Sequence, residues 1–112
     1  MDYASKKCVP CEGGVPAFTP AQAGEASRSL RGWDVREGSK RLHKQLRFRD
    51  FRHAMRFVNA MADLAEAEGH HPDFTVHYDT VDVTLWTHAV GGLSENDFIL
   101  AAKLDQLEAR GV

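Results

Sequence analysis

The chain has 112 residues, which is enough for one globular domain and too few for two. Its apolar fraction of 43% and charged fraction of 27% are those of an ordinary soluble protein, with a formal net charge of −2. No apolar run approaches the roughly 20 residues of a membrane-spanning helix, and the first residues lack the apolar stretch of a signal peptide. We therefore predict a cytoplasmic protein without membrane contact.

Basic residues concentrate in the middle of the sequence. We interpret them as solvated faces of a strand and a helix, with a surface for an anionic partner as the alternative. The negative net charge and the lack of a recognition motif argue against nucleic acid as that partner. The residues are Lys40, Arg41, Lys44, Arg47, Arg49, Arg52 and Arg56.

The two cysteines, Cys8 and Cys11, form a C-x-x-C motif in a segment that contains proline and glycine. A zinc site would need a second ligand pair, and a redox motif is expected at a helix N-terminus. A structural or incidental role is therefore favoured over metal or redox work. We expect residues 1–18 to form a flexible N-terminal arm and residues 19–112 to form a single domain.

The first helix is predicted to begin at Thr19 and to end at Gly32. Thr19 is a favourable N-cap, and Gln22 stands where the partner residue of a capping box belongs. This local pattern predicts a helix start without reference to the rest of the fold.

Alternating apolar residues on both sides of a turn at residues 37–39 predict a β-hairpin with one buried face. Lys44 interrupts the apolar alternation, which we interpret as a position at a strand end or a sheet edge. The apolar positions are Trp33, Val35, Leu42, Leu46 and Phe48.

A long helix is predicted over residues 51–68, capped by Asp50 and ended by Gly69. Its predicted core stripe is Phe51, Met55, Val58, Ala62 and Ala65, and Phe57, Met61 and Leu64 widen it. We interpret the extra apolar breadth as a surface that another subunit covers.

A second hairpin is predicted with its turn at residues 79–80. The pairs that this register predicts are Tyr78 with Val81, Val76 with Val83, and Phe74 with Leu85. Continued outward, the same register places His71 directly opposite His88, where Cβ atoms are about 5 Å apart.

The last helix follows a break at residues 91–92, with Ser94 as its cap and Asp97 supporting the cap from the third position. Its apolar stripe is Phe98, Ala101, Leu104 and Leu107. The element order α-β-β-α-β-β-α predicts an α+β domain, with three helices packed on one face of a four-stranded antiparallel sheet.

Three of the six histidines, His70, His71 and His88, gather at the open end of the second hairpin in this prediction. Glu66 stands one helical turn before His70 and could orient an imidazole. Three such histidines suit acid–base catalysis near neutral pH, a zinc site with an open position, or ordinary polar residues at a hairpin mouth. Spacing alone leaves the three interpretations open. The other histidines, His43, His53 and His77, have no comparable neighbours in the sequence.

The spacing of these residues resembles the signature of the pterin-4a-carbinolamine dehydratase family. It reads Glu66-x3-His70-His71-Pro72-x5-Tyr78-x9-His88-x8-Asp97. The surrounding segments 69–74 and 91–98 also look like that family, and residues 8–14 resemble the start of many bacterial members. The resemblance covers nearly the whole chain.

This resemblance implies a hydro-lyase that removes water from 4a-hydroxytetrahydrobiopterin to give quinonoid dihydropterin, without a metal or a cofactor. It implies that His70 and His88 form the catalytic acid–base pair and that His71 assists at N5 or binds the pterin. The further residues that it implies are Glu66 and Asp97 to orient imidazoles, Gly69 and Thr87 to contact the ring through their backbone, and Phe74 to pack beside it. We expect Trp86, on the same strand side as His88, to fill the pocket or an interface.

The resemblance also implies partners. The reaction recycles the pterin of aromatic amino-acid hydroxylases, so phenylalanine hydroxylase or another such enzyme is the expected client, and self-association as a homodimer or homotetramer is expected. Some relatives instead stabilise the dimer of a homeodomain transcription factor or help to assemble the carbon-fixing carboxylase. A binding or coactivator module is therefore the alternative, although the intact His-His-Pro…His pattern favours an enzyme.

Overall fold

The computed structural model describes residues 2–9 and 16–111. Three helices cover one face of a four-stranded antiparallel sheet, which confirms the predicted fold class and element order. The elements are α1 (Pro20–Ser27), β1 (Asp34–Arg36), β2 (Arg41–Arg47), α2 (Phe51–Glu68), β3 (Asp73–His77), β4 (Thr80–Leu85) and α3 (Glu95–Arg110). The strand order is β1-β2-β4-β3, so β2 and β4 are central and β3 is an edge strand.

Helix α1 begins as predicted but ends earlier. The Thr19 hydroxyl accepts a hydrogen bond from the Gln22 backbone, and the Gln22 side chain accepts one from the Thr19 backbone, which completes the capping box. The helix stops at Ser27 rather than at Gly32. The backbone N–H groups of residues 28–30 bond to carbonyls three residues earlier, as in a 3-10 helix, instead of four residues earlier as in an α-helix. Gly32 is a later turn residue, with a φ of 74°.

Lys44 lies in the central strand β2, so its interpretation as a strand end or sheet edge is wrong. Like Leu42 and Leu46 it is buried on the helix-covered face. Its long side chain crosses to α3, where Nζ lies 2.8 Å from Asp105 Oδ1 and 2.9 Å from Glu108 Oε1. The apolar alternation is broken because this position pairs with a carboxylate cluster instead of with the apolar core.

The pKa of Lys44 reflects two opposing effects. Burial alone would lower it, but the hydrogen bonds to Asp105 and Glu108 outweigh burial and hold the pKa above its ordinary value. The Trp33 indole N–H donates to the same Asp105 Oδ1 at 2.9 Å. Strand β2 and the residue that precedes β1 are thus both fixed to α3 through one carboxylate.

Helix α2 has the predicted bounds, with Asp50 accepting from the His53 backbone and Gly69 ending the helix in a left-handed conformation. Val58 and Ala65 of the predicted core stripe are buried, but the centre of the buried stripe is rotated by roughly 70° from the predicted one, at 100° per residue. Phe51 is 52% exposed and Ala62 is exposed, whereas the bulkier Phe57 and Met61 face the sheet at the centre of the stripe. The buried positions are Ala54, Phe57, Val58, Met61 and Ala65.

This rotation changes the meaning of the apolar breadth of α2. Phe57 and Met61, which we predicted to widen the helix surface, are buried within the same chain, with Phe57 against Phe48 at 5.1 Å between ring centroids. Between residues 51 and 68 the outward side carries mainly polar side chains. The breadth is this chain's own core, and it therefore gives no support to a subunit contact on α2.

The second hairpin turns at residues 78–79, one position earlier than predicted. The observed pairs are His77 with Thr80, Val76 with Val81, and Phe74 with Val83. Tyr78 takes the left-handed conformation that the tight turn requires, with a φ of 53°. Every predicted pair is therefore displaced by two residues. A shift of two keeps each side chain on its face, so alternation alone does not detect it.

Helix α3 confirms the predicted cap, with Asp97 and Ser94 forming a capping box. Phe98, Ala101 and Leu104 are buried as predicted, and Leu107 packs at the margin of the core.

Part of the N-terminal segment packs against the rest of the domain. Tyr3 and Cys8 are buried, and residues 7–9, which we name the N-terminal strap, contact the end of α2 and the start of α3. The Cys8 backbone N–H donates to Glu68 Oε1 at 2.8 Å, and the Asn96 side chain makes two hydrogen bonds to the backbone of Val9. These bonds and the burial of Tyr3 and Cys8 hold part of this segment against the domain, and the flexible arm over residues 1–18 stays a prediction. Cys11 lies outside the described residues, and the predicted boundary at residue 19 stays a prediction.

Replacing Lys44 tests the buried cluster. Lys44→Met keeps the stem but leaves Asp105 and Glu108 without their cation. We expect a loss of about 2–3 kcal/mol in the free energy of unfolding, since one member of a largely buried pair is removed while Glu108 is partly exposed. Urea unfolding followed by circular dichroism measures it.

The pH dependence of the same variant provides a second measurement. Because the folded pKa of Lys44 is raised, its stabilisation is complete below the unfolded value of about 10.4 and is lost as the pH rises through the folded value. The gap between wild type and Lys44→Met should shrink there. Arg47→Met, which removes an exposed partner of Asp79, is the control and should change stability by less than about 0.5 kcal/mol. Equal losses in both variants would contradict the cluster's role.

Candidate active site

One fully buried carboxylate, that of Asp97, joins three chain segments. Its Oδ1 lies 2.6 Å from His70 Nε2, just after α2. Its Oδ2 accepts from the Thr87 hydroxyl at 2.8 Å and from the Ser94 backbone at 3.0 Å. A buried carboxylate needs such compensation, and here the donors come from the ends of α2 and β4 and from the start of α3.

The position of His70 follows from the end of α2. Gly69 adopts a φ of 67°, and the backbone N–H groups of Gly69 and His70 both bond to the carbonyl of Ala65. The bond from Gly69 is that of the αL motif and the bond from His70 is the 6→1 bond of a Schellman motif, and in both a left-handed glycine ends the helix. It aims His70 at Asp97, and because Nε2 is held there, Nδ1 is the nitrogen that remains for a ligand.

Glu66 orients a different histidine from the one its spacing suggested. Its Oε2 lies 2.5 Å from His71 Nε2, and both side chains are exposed. The reversal at Gly69 explains this, because the helix does not run on to place His70 one turn above Glu66. His70 and His71 are thus each held by a carboxylate, one buried and one exposed.

His88 lies in a short closed loop after β4. It opens a 3-10 turn over His88–Val90, and the backbone N–H of Thr87 donates to the carbonyl of Gly92 at 2.8 Å to close the loop. The His88 ring packs on the indole of Trp86 with centroids 3.6 Å apart. Thr87 itself is buried, and its hydroxyl serves the carboxylate of Asp97.

The predicted direct opposition of His71 and His88 is wrong. Strand β3 begins at Asp73 and β4 ends at Leu85, and the ladder has the shifted register, so the two histidines lie beyond it. Two other contacts bring their segments together. Asp97 joins the residue before His71 to the residue before His88, and the Trp86 indole N–H donates to Asp73 Oδ2 at 3.1 Å. That the three imidazoles share one pterin pocket stays a prediction.

Phe74, predicted to pack beside the pterin, is 45% exposed on the edge strand β3. The contribution of Asp73 was missed by sequence analysis. The indole N–H of Trp86 needs a hydrogen-bond acceptor, which indicated that an acceptor lies near it. The predicted strand pairing was wrong by two residues and therefore did not identify Asp73 as that acceptor.

Two other histidines have carboxylate partners that the sequence did not suggest. His43 Nε2 lies 3.3 Å from Asp82 Oδ1 across the central strands, and His53 Nδ1 lies 2.7 Å from its own helix cap, Asp50. His77 is exposed, as predicted. Over residues 2–9 and 16–111, no three His, Cys, Asp or Glu side chains form a group that could hold a metal ion.

A groove of about 700 Å³ lies away from these histidines. It runs between α1, the first residues and the start of α3, where Tyr3, Phe18 and Glu95 line it. None of the residues that line it belongs to the predicted site.

The sequence matches the model of one protein family. The model of the family described as pterin 4 alpha carbinolamine dehydratase matches residues 16–107. The chain belongs to this family. The pterin dehydratase match contains every predicted site residue, from Glu66 to Asp97.

Individual relatives agree with the family match. A protein of Rubrobacter xylanophilus, whose name places it among the pterin-4-alpha-carbinolamine dehydratases, is 42% identical over 106 residues, covering 95% of this chain and 98% of that protein. Pterin-4-alpha-carbinolamine dehydratase 2, mitochondrial, of Arabidopsis thaliana is 42% identical over 111 residues, covering 96% of this chain and 59% of that protein. These names indicate a dehydratase, which is a lyase.

Two solved structures are also similar. One, described as a transcriptional coactivator/pterin dehydratase from Brucella melitensis, has a TM-score of 0.78 at 35% identity and covers 81% of this chain and 97% of its own. The other, described as a pterin dehydratase-like protein that is a RuBisCO assembly factor in the alpha-carboxysome, has a TM-score of 0.60 at 26% identity and covers 69% of this chain and 89% of its own. Among the described residues of the present chain, no helix is both long and apolar enough to cross a membrane.

The Asp97 network can be tested without an activity assay. Asp97→Asn keeps the shape but turns an N–H donor toward either His70 or the donors at Thr87 and Ser94. We expect a loss of about 1–3 kcal/mol in the free energy of unfolding, since buried donors lose an acceptor. Thermal unfolding measures it. The exposed Glu66→Gln should change stability by less than about 0.5 kcal/mol, and equal effects would contradict the central position of Asp97.

Proposed function

We propose that this protein is a hydro-lyase that converts 4a-hydroxytetrahydrobiopterin, the pterin-4a-carbinolamine, to quinonoid dihydropterin and water by histidine acid–base catalysis. The observation that carries the proposal is the hydrogen bonding of His70 to the buried Asp97, which also bonds Thr87 beside His88. Membership of the pterin dehydratase family supports it.

The reaction needs two proton transfers. The C4a hydroxyl takes a proton and leaves as water, the N5 lone pair forms the N5–C4a double bond, and the N5 proton passes to a base. An imidazole, with an ordinary pKa near 6.5, can serve either transfer at neutral pH. Because the ring nitrogen supplies the electron pair, the proposed mechanism uses no metal and no cofactor.

The proposed roles follow the geometry of each histidine. His70 presents Nδ1, since Nε2 is bonded to Asp97, and forms the acid–base pair with His88. His71 assists at N5 or binds the pterin, and Glu66 orients it. Further proposed contacts to the pterin are the backbone of Gly69 and Thr87 and the ring of Phe74.

Replacing the histidines tests this directly. His70→Ala and His88→Ala should each lower the rate of 4a-hydroxytetrahydropterin decay, followed by ultraviolet absorbance, by about 10²–10⁴-fold, the usual contribution of a positioned acid or base. His77→Ala is the matched control because His77 is an exposed histidine on β3, and it should retain the wild-type rate. Activity that survives both site substitutions would refute the proposal.

The proposal that no metal takes part in the reaction is tested separately. Treatment with a chelator should leave the rate unchanged. Inactivation by the chelator followed by recovery with zinc would show that the mechanism is wrong even if the substrate is right.

A binding or assembly role is the second candidate, and the descriptions of the two similar structures favour it as the alternative. We favour the enzyme because the histidine pattern is intact. Recovery of a stable stoichiometric partner from native extract, together with no dehydratase rate, would reverse this order. The proposed setting is the cytoplasm, with an aromatic amino-acid hydroxylase such as phenylalanine hydroxylase as the client.

Self-association is part of the proposal. The edge strand β3 is exposed, and Phe74 on it is only about half covered by its own chain. An exposed edge is a template for pairing with another strand. We expect sedimentation equilibrium to give the mass of a homodimer or a homotetramer at micromolar concentration. A mass of 12.5 kDa, that of one chain, would contradict it.

A further inference from the structure

His88 is held differently from the other two site histidines. His70 and His71 each bond a carboxylate through Nε2. Within residues 2–9 and 16–111, His88 has no hydrogen bond to either ring nitrogen, and its ring contacts the indole of Trp86 at 3.6 Å between centroids, with a 35° angle between the planes. Among the described residues, the contact to this imidazole is therefore through the face of its ring, and no hydrogen bond occupies its nitrogens.

The indole is itself fixed from two sides. Its N–H donates to Asp73 Oδ2 at 3.1 Å, two residues after His71. The Arg41 guanidinium carbon lies 3.7 Å from the indole centroid, at cation–π distance. Arg41 is held in turn by the Lys40 carbonyl at 3.0 Å and lies 3.8 Å from Glu37. An indole with these two contacts has little freedom to rotate, so it can define the plane of a neighbouring ring.

We propose that Trp86 is the positioning residue of His88, and that Asp73 and Arg41 fix the indole for that purpose. This inference rests on the proposed function and deepens it. A carboxylate partner would occupy one nitrogen and favour the protonated ring. A stacked indole orients the imidazole without using a nitrogen, so the ring can both accept and donate a proton during one catalytic cycle.

The first readout does not depend on activity. The ring protons of His88 should be shifted upfield in the proton NMR spectrum by the indole ring current. Trp86→Leu should return them toward the values of an unstacked histidine, and Trp86→Phe should keep part of the shift. An unshifted His88 in the wild type would overturn the proposal.

The second readout is kinetic. Trp86→Leu should lower kcat about ten- to a hundredfold with KM changed less than about threefold, since the catalytic ring is misplaced while the remaining pterin contacts stay. Trp86→Phe should recover most of kcat. Because Phe is the conservative replacement, it keeps the proposal testable if the Leu variant does not fold. Unchanged kcat in a folded Trp86→Leu variant would overturn the proposal.

Paired arginine variants test the support of the indole. Arg41→Met should reduce both the ring-current shift and kcat, while Arg47→Met, at an exposed arginine on the same strand, should change neither. Equal effects of the two would overturn the role of Arg41. A further outcome is that the upfield shift of the His88 ring protons disappears in Trp86→Leu although the wild type does not act on the pterin. That result would confirm the contact between Trp86 and His88 and would contradict only the proposed function.

Discussion

The carboxylate of Asp97 is the constraint on which the rest of the site depends. It is fully buried, so the fold must supply its hydrogen bonds, and the donors come from three segments that are separate in the sequence. Removing any one of them would leave part of a buried charge uncompensated, at a cost of about 1.5–3 kcal/mol. The ends of α2 and β4 and the start of α3 are therefore held in one arrangement, and His70 and Thr87 are fixed with them.

Local signals in the sequence predict most of the fold. The capping box at Thr19, the cap at Asp50 and the glycine at position 69 each define a helix end from a few neighbouring residues. The rotation of α2 was not predictable in this way, because Phe51 and Phe57 are equally apolar and only the position of the sheet decides which one is buried. Lys44 was misread for the same reason, since its partners lie about 60 residues away in α3.

The hydrogen-bond partners of the site histidines could not be predicted from the sequence. The spacing of the histidines identified the residues, but the pairs between them depend on geometry that spacing does not contain. Two turns decide it. At the left-handed Gly69 the chain reverses, so that His70 bonds Asp97 and His71 bonds Glu66. At the left-handed Tyr78 the second hairpin turns early, which shifts its strand pairing by two residues and leaves every side chain on its predicted face. A pattern with a period of two is unaffected by that displacement, so only coordinates reveal it.

The N-terminal strap gives the molecule a built-in chemical reporter. Its buried Cys8 thiol has its pKa raised to about 12, by burial first and then by Glu68, so in the packed state it is protected and almost entirely unreactive toward alkylating reagents. Labelling therefore requires residues 7–9 to lift away from α2 and α3. Because Glu68 and Asn96 adjoin the segments that carry His70 and Asp97, the alkylation rate of this sulfur would measure how often the strap separates from these ends of α2 and α3.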